Sequence, residues 1–279
     1  QRAGRGRMET PTPVRVFALD RNLPVFTPKG LRNNVVEQSR LVEANADVFV
    51  VVAYGRIFPP ELLQIPPMGV VNVHPSLLPR YRGPSPVVNA ILDGEGQTGV
   101  TVMLLDRGMD TGPILAQSPP VQLVGDEKGA QLQERLFKEG VAMLPGVLKG
   151  LADGSITPTP QDDALATTTG LIERSDGEID WLMPAEQIDR MVRAYDPWPA
   201  TFTSWNGKGL KILDARVTVA PSAGPIEPGK VVKADGRLLV GTGSGLLEIG
   251  RVQIEGRQAV ASDDFLRGQP EFEGATLGG

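Results

Sequence analysis

Cysteine is absent from the 279 residues, and histidine occurs only once, at position 74. The lack of cysteine excludes disulfide bonds, thiolate zinc sites and cysteine nucleophiles. A single histidine also argues against a hydrolytic zinc site, because such sites usually draw several ligands from histidine. We therefore predict a functional site without a metal ion.

Aromatic residues, long apolar runs and excess positive charge are also scarce. Aromatics make up 5% of the chain and the net charge is −5. This acidic balance argues against broad, nonspecific nucleic-acid binding, although a local basic patch is compatible with it. No run approaches the roughly 20 apolar residues that span a bilayer, and no apolar segment follows the N-terminal arginines as in a secretory signal. We interpret the chain as a cytoplasmic monomer that does not bind membranes.

The first half of the chain alternates between helical and strand patterns. Helical patterns cover 12–22, 31–46, 60–66, 85–94 and 127–150, and strand patterns cover 22–28, 46–55, 70–74 and 99–106. The continuous β-branched run in 46–55 is typical of a strand buried on both faces of a parallel sheet. This alternation predicts an α/β, Rossmann-like domain with a mostly parallel sheet, which we assign to residues 1–152.

The second half has a different texture. Residues 153–176 are rich in Thr, Pro, Gly and Asp without a period, which is typical of a linker. Residues 177–279 contain short strand patterns, with hairpin signals at Asn206-Gly207 and Asp235-Gly236, and predict a β-barrel resembling an OB-fold. The glycine-rich stretch GTGSG at 241–245 lies between two such strands, so we interpret it as a hairpin. We interpret Trp181, Trp198 and Trp205 as packing residues.

The lone histidine lies where open α/β sheets bind ligands. His74 ends the predicted strand VVNVH, and Asn72 shares its face because strand side chains alternate. An asparagine amide can donate to a developing oxyanion, and an imidazole titrates near neutral pH. Asp110, after the next predicted strand, could orient and tune that imidazole. These three types at strand ends favour acyl transfer without a covalent intermediate, since no GxSxG elbow is present.

The two segments around these residues resemble one enzyme family. NVHPSLLPRYRGPSP at 72–86 and ILDGEGQTGVTVMLLDRGMDTGPIL at 91–115 resemble the 10-formyltetrahydrofolate-dependent formyltransferases, most closely those acting on methionyl-tRNA. The resemblance extends over essentially the whole chain. It includes the stretches AGRGR, VVVAYGRI, GEIDW, RAYDPWPAT and DFLRG.

The resemblance implies a reaction and a set of site residues. A formyl group would pass from 10-formyltetrahydrofolate to the α-amino group of initiator methionyl-tRNA for translation initiation. Asn72, His74 and Asp110 would be catalytic, with His74 protonated and held in that form by Asp110. The folate would contact Ser76, Leu77, Leu78, Pro79, Arg56 and Ile57. Arg2, Arg5 and Arg7 would contact tRNA phosphates.

Two departures from the family pattern stand out. The strand, helix and strand that open the family fold should precede Gln1, so we expect the chain from Gln1 onward to be inactive and to expose apolar strand faces. The linker reads TTTGLIER where the family usually carries a Tyr-Ala-x-Lys type of stretch, which leaves substrate contacts there in question. Two alternatives stay open: a formyltransferase for a sugar-nucleotide or glycinamide ribotide amine, and a noncatalytic fragment that binds tRNA or folate.

Overall fold

The computed structural model describes residues 2–3, 8–9, 11–55, 58–219 and 225–278, with side-chain placement from residue 11 onward. Within those ranges, none of the helices combines the length and the apolarity that crossing a bilayer requires. The elements of the first half are β1 (Arg2–Ala3), β2 (Met8–Glu9), α1 (Pro13–Leu19), α2 (Val35–Glu43), β3 (Phe49–Val52), β4 (Val70–His74), α3 (Pro86–Leu92), β5 (Gln97–Thr98), β6 (Thr101–Leu104), β7 (Ile114–Gln117), β8 (Val121–Gln122) and α4 (Gly129–Asp153).

A four-stranded sheet in the order β3-β4-β6-β7 organises the first half. Strand β4 is central and buried, and its neighbours set its register through pairs such as Val51 with Asn72 and Thr101 with His74. Helix α4 packs across this sheet through Leu132, Leu136 and Val147, which join the apolar clusters beneath β4 and β6. The short strands β5 and β8 form a separate two-stranded ribbon.

Three expectations for this half need correction. Strand β4 pairs in parallel with β3 but antiparallel with β6, and β6 is antiparallel to β7, so the described sheet is mixed rather than mostly parallel. Residues 22–28 form no strand; two of them are prolines, which lack the N–H that a ladder needs. Strand β3 is not buried on both faces, since Val50 and Val52 are 42% and 40% exposed.

Four of the five helical expectations hold with changed bounds, and the fifth is wrong. Helix α2 starts at an Asn34 cap whose side chain accepts a hydrogen bond from the Glu37 amide. Helix α4 runs past Gly150 to Asp153 and is capped by Gly154, which adopts a left-handed φ of 75°. The predicted helix at 60–66 is a single 3-10 turn at Pro60–Leu62.

The second half is an antiparallel β unit. Its elements are 3-10 turns at Asp163–Leu165 and Arg174–Gly177, α5 (Ala185–Ala194), β9 (Thr201–Trp205), β10 (Lys208–Thr218), β11 (Val231–Ala234), β12 (Arg237–Gly241), β13 (Leu246–Ile254), β14 (Val260–Ala261), α6 (Ser262–Gly268) and a 3-10 turn at Pro270–Phe272. The sheet order is β11-β12-β13-β10-β9, with β14 added on β13. Both predicted hairpins are present, and GTGSG connects β12 to β13.

An apolar core with interlocking aromatics holds the β unit together. The rings of Trp205, Phe265 and Phe272 meet edge to face, with centroids 5.0–5.7 Å apart. Trp181 is also buried, and its indole N–H donates to Thr203 Oγ1 at 3.1 Å. Trp198 is 60% exposed, which contradicts its interpretation as a packing residue.

Helix α5 joins the two halves. Ile188 and Val192 belong to the core of the β unit, whereas Ala194, at the end of the helix, packs with the α/β core beside α3 and α4. Gly129 at the start of α4 approaches the Ala194 carbonyl so closely that a Cβ there would lie 2.4 Å from the oxygen. This contact leaves room only for glycine.

Candidate active site

The site begins at the end of strand β4. Val71 and Val73 point to the same face of the sheet, where they join two neighbouring apolar clusters, and both are buried. Asn72 and His74 alternate with them and therefore share the opposite orientation. Asn72 is partly exposed, whereas His74 is only 4% exposed. The sequence pattern predicted this pairing on one strand face, and the bounds of β4 match it.

The imidazole of His74 is hydrogen-bonded through Nε2 and has the Asp110 carboxylate beside Nδ1. Its Nε2 lies 2.9 Å from the backbone oxygen of Tyr81, and its Nδ1 lies 3.6 Å from Oδ2 of Asp110. A carbonyl oxygen can only accept a hydrogen bond, so Nε2 carries a proton and donates. In the neutral ring, the free lone pair is therefore on Nδ1 and faces the carboxylate.

The carboxylate of Asp110 is positioned by the facing loop. Its Oδ2 accepts a hydrogen bond from the backbone N–H of Gly83 at 2.8 Å. Asp110 adopts φ 55°, a left-handed conformation that is uncommon for a residue with a Cβ. Gly83 has φ 106°, and a Cβ there would lie 2.6 Å from the Thr169 carbonyl oxygen. Both residues sit in geometries that their surroundings must enforce.

Burial and the Asp110 carboxylate act in opposite directions on the pKa of His74. Burial lowers the pKa of His74 below its ordinary value of 6.5, and this effect exceeds the opposing effects of the Asp110 carboxylate and the Tyr81 hydrogen bond. The direction of this shift favours the neutral ring, whereas the sequence interpretation expects a protonated one. A neutral ring with an open Nδ1 can accept a proton, and Asp110 then stabilises the imidazolium that forms.

Residues 76–79 cover the end of the strand, and the polar groups of Ser76 and Leu78 are bonded within the protein. Ser76 donates through Oγ to the Arg80 carbonyl, and its own carbonyl accepts from Thr101. The Leu78 amide donates to Thr101 Oγ1, and its carbonyl accepts from Gln117. Ser76 and Leu78 are buried, whereas Leu77 and Pro79 keep partial exposure. A ligand at this loop would meet mainly the side chains of Leu77 and Pro79.

Tyr81 provides the backbone carbonyl that accepts the hydrogen bond from His74 Nε2, and its side chain is fixed by two carboxylates. Its hydroxyl lies 2.8 Å from carboxylate oxygens of both Asp93 and Glu95, and Glu95 also pairs with Arg80. Burial, followed by these acidic partners, raises the pKa of Tyr81, so the phenol stays protonated and donates. Tyr81 has φ 58°, a further uncommon backbone geometry.

The predicted linker does more than connect the halves. Residues 159–169, here called the strap, lie across the two loops of the site, residues 79–83 and 106–112. Thr167 and Thr169 exchange backbone hydrogen bonds with Pro79 and Arg82, and the Thr169 hydroxyl accepts from the Ser85 amide at 3.1 Å. Gln161 reaches the Asp110 loop from the other side. No periodicity in the strap indicates these contacts, and so the sequence interpretation missed them.

The remaining predicted contacts involve residues that the structure does not describe. Arg56 and Ile57, predicted to contact folate, and Arg5 and Arg7, predicted to contact tRNA, lie outside the described residues. Arg2 belongs to β1, but its side chain is also outside them. These assignments stay predictions.

A buried imidazole with a proton on Nε2, an adjacent carboxylate and a neighbouring amide define a class of site. Such a set can move one proton and stabilise an oxyanion, which is what the transfer of an acyl-type group to a nucleophile requires. Comparison with known proteins gives the particular family. A family model described as formyl transferase matches residues 1–148, and a model of the formyl transferase C-terminal domain matches 171–270.

Relatives and solved structures agree with the models. A methionyl-tRNA formyltransferase of Roseiflexus sp. strain RS-1 is 48% identical over 276 residues, which cover 99% of this chain and 84% of that protein. HypX from Aquifex aeolicus in complex with tetrahydrofolic acid shares the fold at a TM-score of 0.62 and 22% identity, covering 85% of this chain and 40% of that chain. WlaRD, a sugar 3N-formyl transferase solved in the presence of dTDP and 5-N-formyl-THF, matches at a TM-score of 0.62 and 19% identity, covering 87% and 81%.

The chain belongs to the formyl transferase family. The family prediction from the sequence is therefore confirmed, as are the α/β class of the first half and the β unit of the second. The α/β half and the β unit correspond to the two matched regions, and the strap lies between them.

Proposed function

We propose that this protein transfers a formyl group from 10-formyltetrahydrofolate to the α-amino group of methionyl-tRNA. The observation that carries the proposal is the His74–Asp110 pair at the end of β4, in a chain 48% identical to a methionyl-tRNA formyltransferase over almost its full length. We further propose that residues 1–152 form the catalytic domain, 153–176 the connection and 177–279 the domain that helps to bind tRNA.

In the proposed reaction the amine attacks the formyl carbon of the folate. A C–N bond forms, and the formyl oxygen becomes an oxyanion in the tetrahedral intermediate. The Asn72 amide is suited to donate to this oxyanion, because such donors stabilise negative charge only as it develops. Loss of one such donor typically costs roughly 3–4 kcal/mol in the barrier.

The attacking amine must also lose a proton. The open Nδ1 of neutral His74 can take that proton, directly or through a water molecule, and Asp110 then faces an imidazolium 3.6 Å away. The bond between the formyl carbon and N10 of the folate then breaks, and N10 receives the proton. Atoms and charges balance, since the amine proton ends on the folate nitrogen and no covalent enzyme intermediate forms.

The folate would lie against the loop 76–79 beside these groups. Because the polar atoms of Ser76 and Leu78 are bonded internally, Leu77 and Pro79 provide apolar contact while Asn72 and His74 provide polar contact. Arg56 and Ile57 would complete the folate contacts.

Arg2, Arg5 and Arg7 would bind tRNA phosphates. The protein would act as a monomer in the cytoplasm, where initiator tRNA is charged.

A comparison of acceptor substrates tests this function. Protein expressed from its whole coding sequence is supplied with 10-formyltetrahydrofolate and, separately, with initiator methionyl-tRNA, glycinamide ribotide or a dTDP-linked amino sugar, and formylated products are measured by mass spectrometry. We expect product only with methionyl-tRNA, with kcat/KM falling steeply as salt rises because phosphate contacts release counterions. Formylation of either small amine instead, or tight tRNA binding without any turnover, would overturn the proposal.

A further inference from the structure

Gln161 of the strap connects the two loops that hold the catalytic pair. Its amide nitrogen donates to the carbonyl oxygens of Asp110 and Gly112, both at 2.8 Å. Its side-chain oxygen accepts from Nε of Arg82 at 3.0 Å. Both amide hydrogens and the amide oxygen are thus engaged, so this one side chain is saturated by three contacts on two loops.

The loop that carries Asp110 needs an external restraint. Asp110 itself adopts a left-handed backbone conformation, and a Cβ at Gly112 would lie 1.9 Å from the Leu104 carbonyl oxygen. Strained backbone of this kind persists only where the surroundings enforce it. Within the loop, Asp106 caps the Gly108 amide and the Thr111 hydroxyl, but the outward carbonyls of Asp110 and Gly112 are held by Gln161.

The other loop is fixed by the same strap. Arg82 is only 7% exposed, and its guanidinium bonds Gln161 and, at 2.8 Å, the carboxylate of Asp163. Arg82 precedes Gly83, whose N–H donates to Asp110. Gln161 therefore closes a ring of contacts that runs from Asp110 through Gly83 and Arg82 and back to Asp110.

We propose that Gln161 is a positioning residue for formyl transfer, which sets the distance between His74 and Asp110 by clamping the loops 79–83 and 106–112 together. This inference rests on the proposed function, because that function assigns His74 and Asp110 to the reaction. Displacement by about 1 Å can cost roughly a hundredfold in rate, so loss of the clamp should appear mainly in kcat.

The test compares Gln161→Leu with Gln38→Leu in the whole protein. Gln38 of helix α2 is a matched control, because its amide also bonds a backbone carbonyl, that of Leu31 at 2.9 Å, and a side chain, that of Glu61, without bonding either site loop. For Gln161→Leu we expect kcat to fall about 10- to 100-fold with both KM values within about threefold. For Gln38→Leu we expect an unchanged kcat, although its melting temperature should shift by about as much as that of Gln161→Leu.

A second measurement does not depend on turnover. His74 is the only histidine, so its imidazole signals can be followed in a pH titration by NMR without assignment ambiguity. Asp110 raises the pKa of His74 against the effect of burial, so moving the carboxylate away should lower that pKa further in Gln161→Leu but not in Gln38→Leu. An unchanged His74 titration together with an unchanged kcat would overturn the proposal.

A further variant separates positioning from simple loss of structure. Gln161→Glu keeps the chain length and the acceptor for Arg82 but removes both donors at neutral pH, and it should reproduce the effect of Gln161→Leu on kcat. A folded Gln161→Glu with the wild-type kcat would refute the clamp. If wild-type protein formylates no acceptor while the titration still shifts, the proposed function fails and the positioning relation stands.

Discussion

The loops around His74 and Asp110 and the β unit are held by different kinds of contact. The loops 79–83 and 106–112 are fixed by polar side chains and backbone groups of the strap, and the side-chain hydrogen bonds join residues 49 to 87 positions apart in sequence. The β unit is fixed by hairpins between neighbours in sequence and by an apolar core in which Phe272 is fully buried. Geometry in the first region depends on a few directed bonds, and stability in the second depends on buried area.

This difference explains how much could be predicted from the sequence. The hairpins at Asn206-Gly207 and Asp235-Gly236 were predictable, because both residues of each pair adopt the left-handed geometry that such turns need. Strand β4 was also predictable, because its valines follow Gly69 and alternate with the polar residues Asn72 and His74. The antiparallel direction of β6 was not, because a strand pattern carries no information about direction.

The strap contacts could not have been predicted from periodicity. Gln161, Thr167 and Thr169 are polar residues in an irregular segment, and composition alone classifies such a segment as a linker. Apart from the Arg82 guanidinium, which bonds Gln161, their partners are backbone groups, which every residue carries. No complementary residue type therefore marks most of these contacts. The neutral state of His74 likewise depends on burial by the loop above it, which only the folded structure supplies.

Removal of the imidazole should give the largest effect. For His74→Ala we expect formyl transfer to fall by about 10²- to 10⁴-fold, because the proton acceptor at Nδ1 is lost. The melting temperature should change far less than for a core variant of the β unit. Formyl-methionyl-tRNA formation and thermal melting measure the two effects, and activity within a few fold of wild type would contradict the catalytic assignment.

A core variant of the β unit should show the opposite pattern. Phe272→Ala removes a fully buried ring that packs edge to face on Trp205 and Phe265, and should destabilise the protein by about 3–5 kcal/mol. At a temperature where the variant stays folded, kcat and the His74 titration should match the wild type. A fall in kcat beyond the fall in folded fraction would mean that the two regions are not held independently.

Two glycines with positive φ allow a finer comparison. Gly83→Ala places a Cβ 2.6 Å from the Thr169 carbonyl oxygen at φ 106°, whereas Gly236→Ala meets nothing within 4 Å at φ 73°. Both should lose stability through backbone strain, by about 1–2 kcal/mol. Only Gly83→Ala should also disturb the hydrogen bond to Asp110 and lower kcat, by about tenfold or more. Equal kcat in the two variants would show that the site tolerates a shift of the strap.

The smallest expected effect is the contribution of His74 to the pH dependence of stability. Burial lowers the pKa of His74 in the folded protein below 6.5, its ordinary value, so the unfolded chain binds the proton more tightly than the folded one. As pH falls through the window between 6.5 and the lower folded value, the unfolded state gains protons and stability is lost. Above that window the group is neutral in both states and contributes no slope.

The measurement is the free energy of unfolding in urea for wild type and His74→Gln between pH 5 and 8. The other titrating groups are common to both proteins, so their contributions largely cancel in the difference. His74 is the only histidine, so the remaining slope in this pH range belongs to it. The free energy of unfolding of the wild type, minus that of His74→Gln, should rise with pH below about 6.5 and level off above it. The total rise should be about 1.4 kcal/mol for each unit by which folding lowers the pKa. A difference that instead falls as pH rises would mean that Asp110 outweighs burial and that His74 is charged in the resting site. The polar contacts of the loops would then set the charge of the imidazole as well as its position, and burial would not decide it.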